Sequence, residues 1–293
     1  MYKRVIVATD LSPSAFAVIE NLGVLREFGT EHCLILQCLS FTQVGTVGLY
    51  YTYGALESGL EEQKKLLENK GFTVEARLIP GIAKSEISRI ASDEDYQLVV
   101  SGAVQSSLMN AAFTGGIGYE IIHGLKCPVF LLRLAEKASG DEEVLLPART
   151  DYLQHILVPT DFSATSNRAF ETAVALAGYG AKKITLMHVQ DRARLEPYLM
   201  SRIDEFNEID EARLHAMKER IHEVSDADVE IVLGFGNPSK EILAAIKERD
   251  VRLVVMGSRG RGYLGDLFIG SVSLNVARHS EASVLLLPPP PIL

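Results

Sequence analysis

The chain has too few cysteines for a disulfide framework: Cys33, Cys38 and Cys127 are the three among 293 residues. No second ligand pair accompanies Cys33 and Cys38, so a metal site is not expected either. They read as reduced core residues of a cytoplasmic protein. Long apolar runs are missing: none approaches the roughly 20 residues a membrane span needs. No secretory signal precedes the first strand, which begins by Val5. Positive charge is also scarce. Lys and Arg total 29 against 38 Asp and Glu, a net charge of −9, which argues against a general affinity for nucleic acid or an anionic membrane. The P-loop sequence Gly-Lys-Ser/Thr does not occur, nor does Ser-Gly-Gly-x-Asp-Ser or His-x-Gly-His. No base–nucleophile pair emerges, so dedicated catalysis is not expected; at most, phosphate positioning would allow weak ATP hydrolysis.

What is present is a repeat. Val7-Ala-Thr-Asp10-Leu-Ser12 matches Val158-Pro-Thr-Asp161-Phe-Ser163, Leu98-Val-Val-Ser-Gly102 matches Leu253-Val-Val-Met-Gly257, and Val129-Phe-Leu-Leu132 matches Val284-Leu-Leu-Leu287. The offset stays between 151 and 155 residues, as expected of a duplicated domain. An apolar fraction of 47% suffices for two cores. The domains are expected over 1–134 and 152–289. Residues Ala135 to Asp151, with Gly140-Asp-Glu-Glu143 and Pro147, read as a solvated linker.

Within each half, short apolar β-branched runs alternate with helical patterns. In the second half, strands are predicted near 155–160, 184–189, 229–233, 252–256 and 283–287, and helices over about 164–179, 194–224, 238–249 and 271–280. Asn237-Pro238 reads as an N-cap and first helical position. Near-continuous apolar strands alternating with helices indicate an α/β class protein with parallel sheets covered on both faces, doubly wound by right-handed crossovers. Prolines 288 to 291 should end the last sheet.

The most specific motif follows the apolar run Leu253-Val-Val-Met256: Gly257-Ser-Arg-Gly260, nine residues, then Gly270-Ser271. Gly257 and Gly260 leave room for backbone N–H groups to approach an anion. Gly270 and Ser271 open a helix whose first N–H groups are unpaired and partly positive. Ser271 and Ser273 add hydroxyl donors. This spacing after an apolar strand resembles the adenine-nucleotide motif of the universal stress protein family. Ile156-Leu-Val-Pro-Thr-Asp161-Phe-Ser163, Ile184-Thr-Leu-Met-His-Val189 and Val284-Leu-Leu-Leu287 resemble the same family.

The resemblance implies two five-stranded parallel-sheet domains with strand order 3-2-1-4-5, a fold similar to adenine-nucleotide α-hydrolases. Strand 1 then lies beside strand 4, and Asp161 and Gly257 flank the crevice where the order reverses. By resemblance, Pro159, Thr160 and Asp161 would line the nucleoside end, and the backbone of Val189 would read the adenine edge. Met256 and Gly257 would pack near the ribose. Arg259, Gly260, Gly270, Ser271, Val272 and Ser273 would surround the phosphates. The implied function is an adenine-nucleotide-binding stress-response or regulatory protein holding ATP or AMP in its second domain; a slow ATPase and a nucleotide-independent interaction protein are the alternatives. Any Mg²⁺ accompanying ATP would be held mainly by ligand and water. Each domain's last strand would leave an apolar edge that needs cover. In the family this strand pairs across a twofold axis, implying an intramolecular pseudo-dimer and leaving a further homodimer open.

Structural alternatives stand beside these roles. Asp161 could cap the first helix, and Ser271 is a natural N-cap. His188 reads as a satisfied core histidine, and His215 and His222 as part of a solvated face. Tyr50, Tyr51 and Tyr53 belong to an apolar insertion that would cover its own domain or a partner surface. The first copy departs from the motif: Gln105 stands where the middle glycine should be, Gly115-Gly116 removes the hydroxyl, and Ala8 replaces the proline. Residues Ser101 to Gly118 contain no basic residue. The first domain is therefore expected to bind no triphosphate, leaving it a smaller adenine ligand or a structural role.

Overall fold

The computed structural model describes residues 1–26, 28–39, 49–104, 117–123, 126–139, 142–195, 200–260 and 269–290. Gln105, Gly115, Gly116 and Arg261 lie outside them. The chain divides into two compact units, Met1–Thr150 and Asp151–Leu293.

The first unit contains strands β1 (Arg4–Ala8), β2 (His32–Leu39), β3 (Thr73–Pro80), β4 (Leu98–Val104), β5 (Val129–Ser139) and β6 (Glu142–Pro147). Its helices are α1 (Pro13–Asn21), α2 (Leu49–Glu68), α3 (Ala83–Asp93) and α4 (Ile117–Ile122). The parallel order is β3-β2-β1-β4-β5. The stretch expected to be a solvated linker is instead a hairpin: β5 runs on to Ser139, and β6 pairs back on it antiparallel from Ser139↔Glu142 to Leu134↔Pro147. The residues on either side of 140–141 extend the ladder instead of staying open.

The second unit contains β7 (Ile156–Pro159), α5 (Ala164–Gly178), β8 (Lys183–Asp191), α6 (Arg192–Leu195), α7 (Ile203–His222), β9 (Asp228–Gly236), α8 (Pro238–Glu248), β10 (Leu253–Gly257), α9 (Ser271–His279) and β11 (Ser283–Leu287). The order β9-β8-β7-β10-β11 is the same 3-2-1-4-5 arrangement, all parallel. Every residue of β7, β10 and β11 is buried, as strands covered on both faces require. Burying each Val, Ile or Leu contributes about 1.5–3 kcal/mol relative to exposure. The helix expected over 194–224 is broken into α6, a short 3₁₀ turn at Met200–Arg202, and α7.

Helix ends follow their local chemistry. Ser163 caps α5 by accepting from Ser166 N at 3.2 Å. Asn237 caps α8 with Pro238 next, as the sequence predicts. β11 stops at Leu287, and Arg168 of α5 donates to the carbonyls of Pro288 and Pro289 beyond it. None of the three cysteines is in a disulfide, and only Cys33 is fully buried. Burial pushes its thiol pKa up to about 12, so it is inert; Cys38 and Cys127 are half-buried rather than core. His215 and His222 are exposed. The first-half tyrosine segment enters α2, where Tyr53 is partly exposed. No helix among the described residues is long and apolar enough to cross a membrane, and no His, Cys, Asp and Glu cluster among them could hold a metal.

Candidate functional site

The crevice is built at the carboxyl ends of β7, β10 and β8. Thr160 N donates to Met187 O at 2.8 Å, the last bond between the β7 and β8 segments. Backbone direction alternates along a strand, so Val189 points its N–H and C=O to the same side as Met187, beyond the end of β7. Val189, Pro159 and Met256 are buried, on neighbouring strands.

After β7 the chain makes a tight turn. Phe162 N donates to Thr160 Oγ1 at 3.0 Å, Ser163 N donates to Asp161 Oδ1 at 3.1 Å, and Phe162 takes a left-handed φ of 58°. The helix cap is thus Ser163, not Asp161. The half-buried Asp161 carboxylate braces the turn with one oxygen and aims the other elsewhere. Its target is the glycine loop: a Cβ on Gly260 would lie 2.7 Å from Asp161 Oδ2. Two residues almost a hundred positions apart therefore meet, and any side chain at 260 would have to displace the Asp161 carboxylate.

The loop's two ends also meet. Gly270 N donates to Ser258 O at 2.7 Å, and a Cβ on Gly270 would lie 3.4 Å from Arg259 Cα. Gly270 is the N-cap of α9 and supplies no side-chain cap. The first intrahelical bond runs from Leu274 N to Gly270 O at 2.8 Å, so the N–H groups of Ser271, Val272 and Ser273 precede the helical ladder. Uncapped N–H groups with the helix dipole behind them favour an anion. Ser271 is thus the first helical residue rather than the cap, and it is exposed.

Two residues of the glycine motif carry packing roles beside those expected of them. Gly257 is needed for packing: a Cβ there would lie 3.0 Å from the carbonyl carbon of Thr165 and 3.1 Å from Ser166 N, in the first turn of α5. Ser273 is buried and its hydroxyl donates to Gly257 O at 2.8 Å, so it ties α9 to β10 instead of offering a donor proton to a ligand. Ser271 remains the exposed hydroxyl of the pair.

His188 is a satisfied core histidine, as the sequence suggests, but it belongs to the crevice wall. Its Nδ1 lies 2.7 Å from Thr160 O, and its Nε2 lies 3.4 Å from Asp210 Oδ2. Asp210 was not singled out from sequence. Its one signal is spacing: it shares the buried face of α7 with Leu214 and Ile221, at intervals of 4 and 11.

Comparison with known proteins agrees with this fold. The family model for the universal stress protein family matches residues 1–133 and again 153–288. The chain belongs to the universal stress protein family, as a tandem of two such domains. It is similar to a universal stress protein of Methanocaldococcus jannaschii, 28% identical over 149 residues, or 45% of this chain and 92% of that one. It is also similar to the universal stress protein YxiE of Bacillus subtilis, 32% identical over 142 residues, or 45% of this chain and 96% of that one. Each relative matches about one half. Over its whole length the chain shares the fold of a universal stress protein from Archaeoglobus fulgidus: TM-score 0.69, 23% identity, 98% of this chain and 96% of that chain.

Proposed function

We propose that the second unit binds an adenine nucleotide, ATP or AMP, and that the protein acts as a regulatory or stress-response binder. The observation that supports this best is the convergence of Asp161, Gly260 and the uncapped start of α9. A carboxylate suits hydroxyl or amine donors of a nucleoside, and helix N–H groups suit phosphate. The two lie on either side of a loop that carries no Cβ at the point of approach. Pro159, Thr160, Asp161 and Val189 would line the nucleoside end, with Met256 and Gly257 near the ribose. Arg259, Gly260, Gly270, Ser271 and the N–H groups of Val272 and Ser273 would surround the phosphates. Binding stabilises only the binding-competent state, which is enough for a sensor.

The test is direct. Ligand released by heat from purified protein is read by ultraviolet spectrum and mass, and emptied protein is titrated with ATP, ADP and AMP. A purine spectrum, or saturable binding, is expected. Absence of binding at millimolar nucleotide would leave the interaction-protein alternative, and many turnovers of ATP to ADP per chain would favour the ATPase.

A further inference from the structure

We infer that Asp210 is a positioning residue: a buried carboxylate on α7 that holds the Thr160–Phe162 turn from both sides and so sets the direction of Asp161. Its ligand-dependent half rests on the nucleotide reading above.

Asp210 is 8% exposed, so its carboxylate needs partners to be tolerated. Oδ2 accepts from Gln190 Nε2 at 2.8 Å and faces His188 Nε2 at 3.4 Å, and Oδ1 accepts from Arg213 Nη1 at 3.2 Å. Each of two partners reaches back to the turn. His188 Nδ1 donates to the Thr160 carbonyl at 2.7 Å, so its Nε2 ties to the Asp210 carboxylate when the ring carries both protons. The Arg213 guanidinium lies over the Phe162 ring at 5.1 Å, and that ring is 4.8 Å from the imidazole. Thr160 and Phe162 flank Asp161, so two tethers from one carboxylate grip both neighbours of the proposed ligand group. Phe162 also holds a left-handed φ that a bulky residue adopts only when its surroundings fix it.

The first unit shows that folding the turn does not require this network. Helices α2 and α7 each have 20 residues, and their buried Leu60 and Leu214, and Leu67 and Ile221, coincide in register. The Asp210 position is then Leu56, and the Arg213 position is Gly59. Strand register places Gln37 where His188 stands. Leu11 has the same left-handed φ, 57°, and its side chain packs against Gly59, 3.0 Å from where a Cβ would be. There the turn holds with its own Thr9 and Asp10 hydrogen bonds and apolar packing from Leu11, and among the described residues the paired tethers occur where the glycine loop meets the aspartate.

The experiment pairs amide hydrogen exchange with titration, on the full chain and on Asp210→Leu. The Phe162 and Ser163 amides should exchange at least about tenfold faster in the variant, while the β8–β9 ladder keeps its protection. Affinity for adenosine, AMP and ATP should fall by one common factor of about tenfold, because the turn lines the nucleoside end. Arg213→Ala, at a side chain about half exposed, removes one tether and should raise Phe162 exchange by a smaller factor even if Asp210→Leu does not fold. Unchanged exchange at Phe162 in the folded variants overturns the positioning role, as does a loss of affinity that grows with phosphate number. If the unaltered protein binds no adenine compound, the functional reading falls and the exchange data alone decide the role of Asp210.

Discussion

The two halves share one strand–turn–helix junction and surround it differently. In both, a threonine hydroxyl accepts from the amide two residues on at 3.0 Å: Leu11 N to Thr9, and Phe162 N to Thr160. In both, the aspartate accepts from the following serine amide, at 3.0 Å for Asp10 and 3.1 Å for Asp161. The aspartate turn is thus part of how the fold begins its first helix, and it is not by itself a mark of ligand binding. The strand-end glycines agree too, since Gly102 and Gly257 each admit the first helix against the sheet. The halves part at α4 and α9. Ser273 donates to Gly257 O, whereas at the matching Gly118 a Cβ would lie only 2.9 Å from Gly102 O. The first half solves that contact by closer backbone packing, the second by a hydrogen bond.

The comparison is broken most severely at Gly260. Gly260→Gln installs the first copy's residue against Asp161 Oδ2. ATP affinity should fall by about 100-fold or more, roughly 2.7 kcal/mol, with the melting profile little changed; titration and thermal unfolding check both. Next, Gly257→Ala drives a methyl onto backbone atoms of α5 and should cost about 1–3 kcal/mol in denaturant unfolding. Gly102→Ala should cost less, because its nearest contacts are the side chains of Val18 and Leu134.

A milder change makes the halves more alike. Ile82 stands at the N-cap of α3 with no side-chain bond and 62% exposure, where Asn237 caps α8 by accepting from Lys240 N at 3.2 Å. Ile82→Asn should stabilise the first unit by about 0.5–1 kcal/mol, seen as a higher denaturant midpoint.

The smallest effect concerns pH. His155 Nδ1 lies 2.9 Å from Arg249 O and Nε2 lies 2.8 Å from the Thr185 hydroxyl, an arrangement a neutral ring satisfies. Burial lowers its pKa below the ordinary 6.5. The unfolded chain therefore takes up a proton before the folded one does. The contribution is fully present above pH 6.5 and is lost as pH falls from there through the lowered value. In the first half Arg4 makes the equivalent bond, Nε to Glu94 O at 3.2 Å, and arginine does not titrate there. Unfolding of the protein and of His155→Gln, followed as pH is lowered from about 7, should show a steeper loss with the histidine.

The strands were legible because Leu253-Val-Val-Met and Val284-Leu-Leu-Leu are buried on both faces and stay apolar throughout. Their order was not, since periodicity carries no information about neighbours; it came from resemblance. The β5–β6 hairpin was hidden by Gly140-Asp-Glu-Glu143, a composition that suits an open linker and a turn equally. Asp161 and Gly260 could be named as candidates, but their meeting depends on the crossover between β7 and β10. Asp210 looked like any other acid on a charged helix. Ser273 looked like a phosphate donor because its acceptor, Gly257 O, is 16 residues away.

Calorimetric titration of the emptied protein with ATP tests most directly whether the anion site lies in the second unit alone. One site per chain is expected, lost in Gly260→Gln and retained in full by Asp10→Ala. Two sites with one removed by Asp10→Ala, or a single site that survives Gly260→Gln, would contradict it.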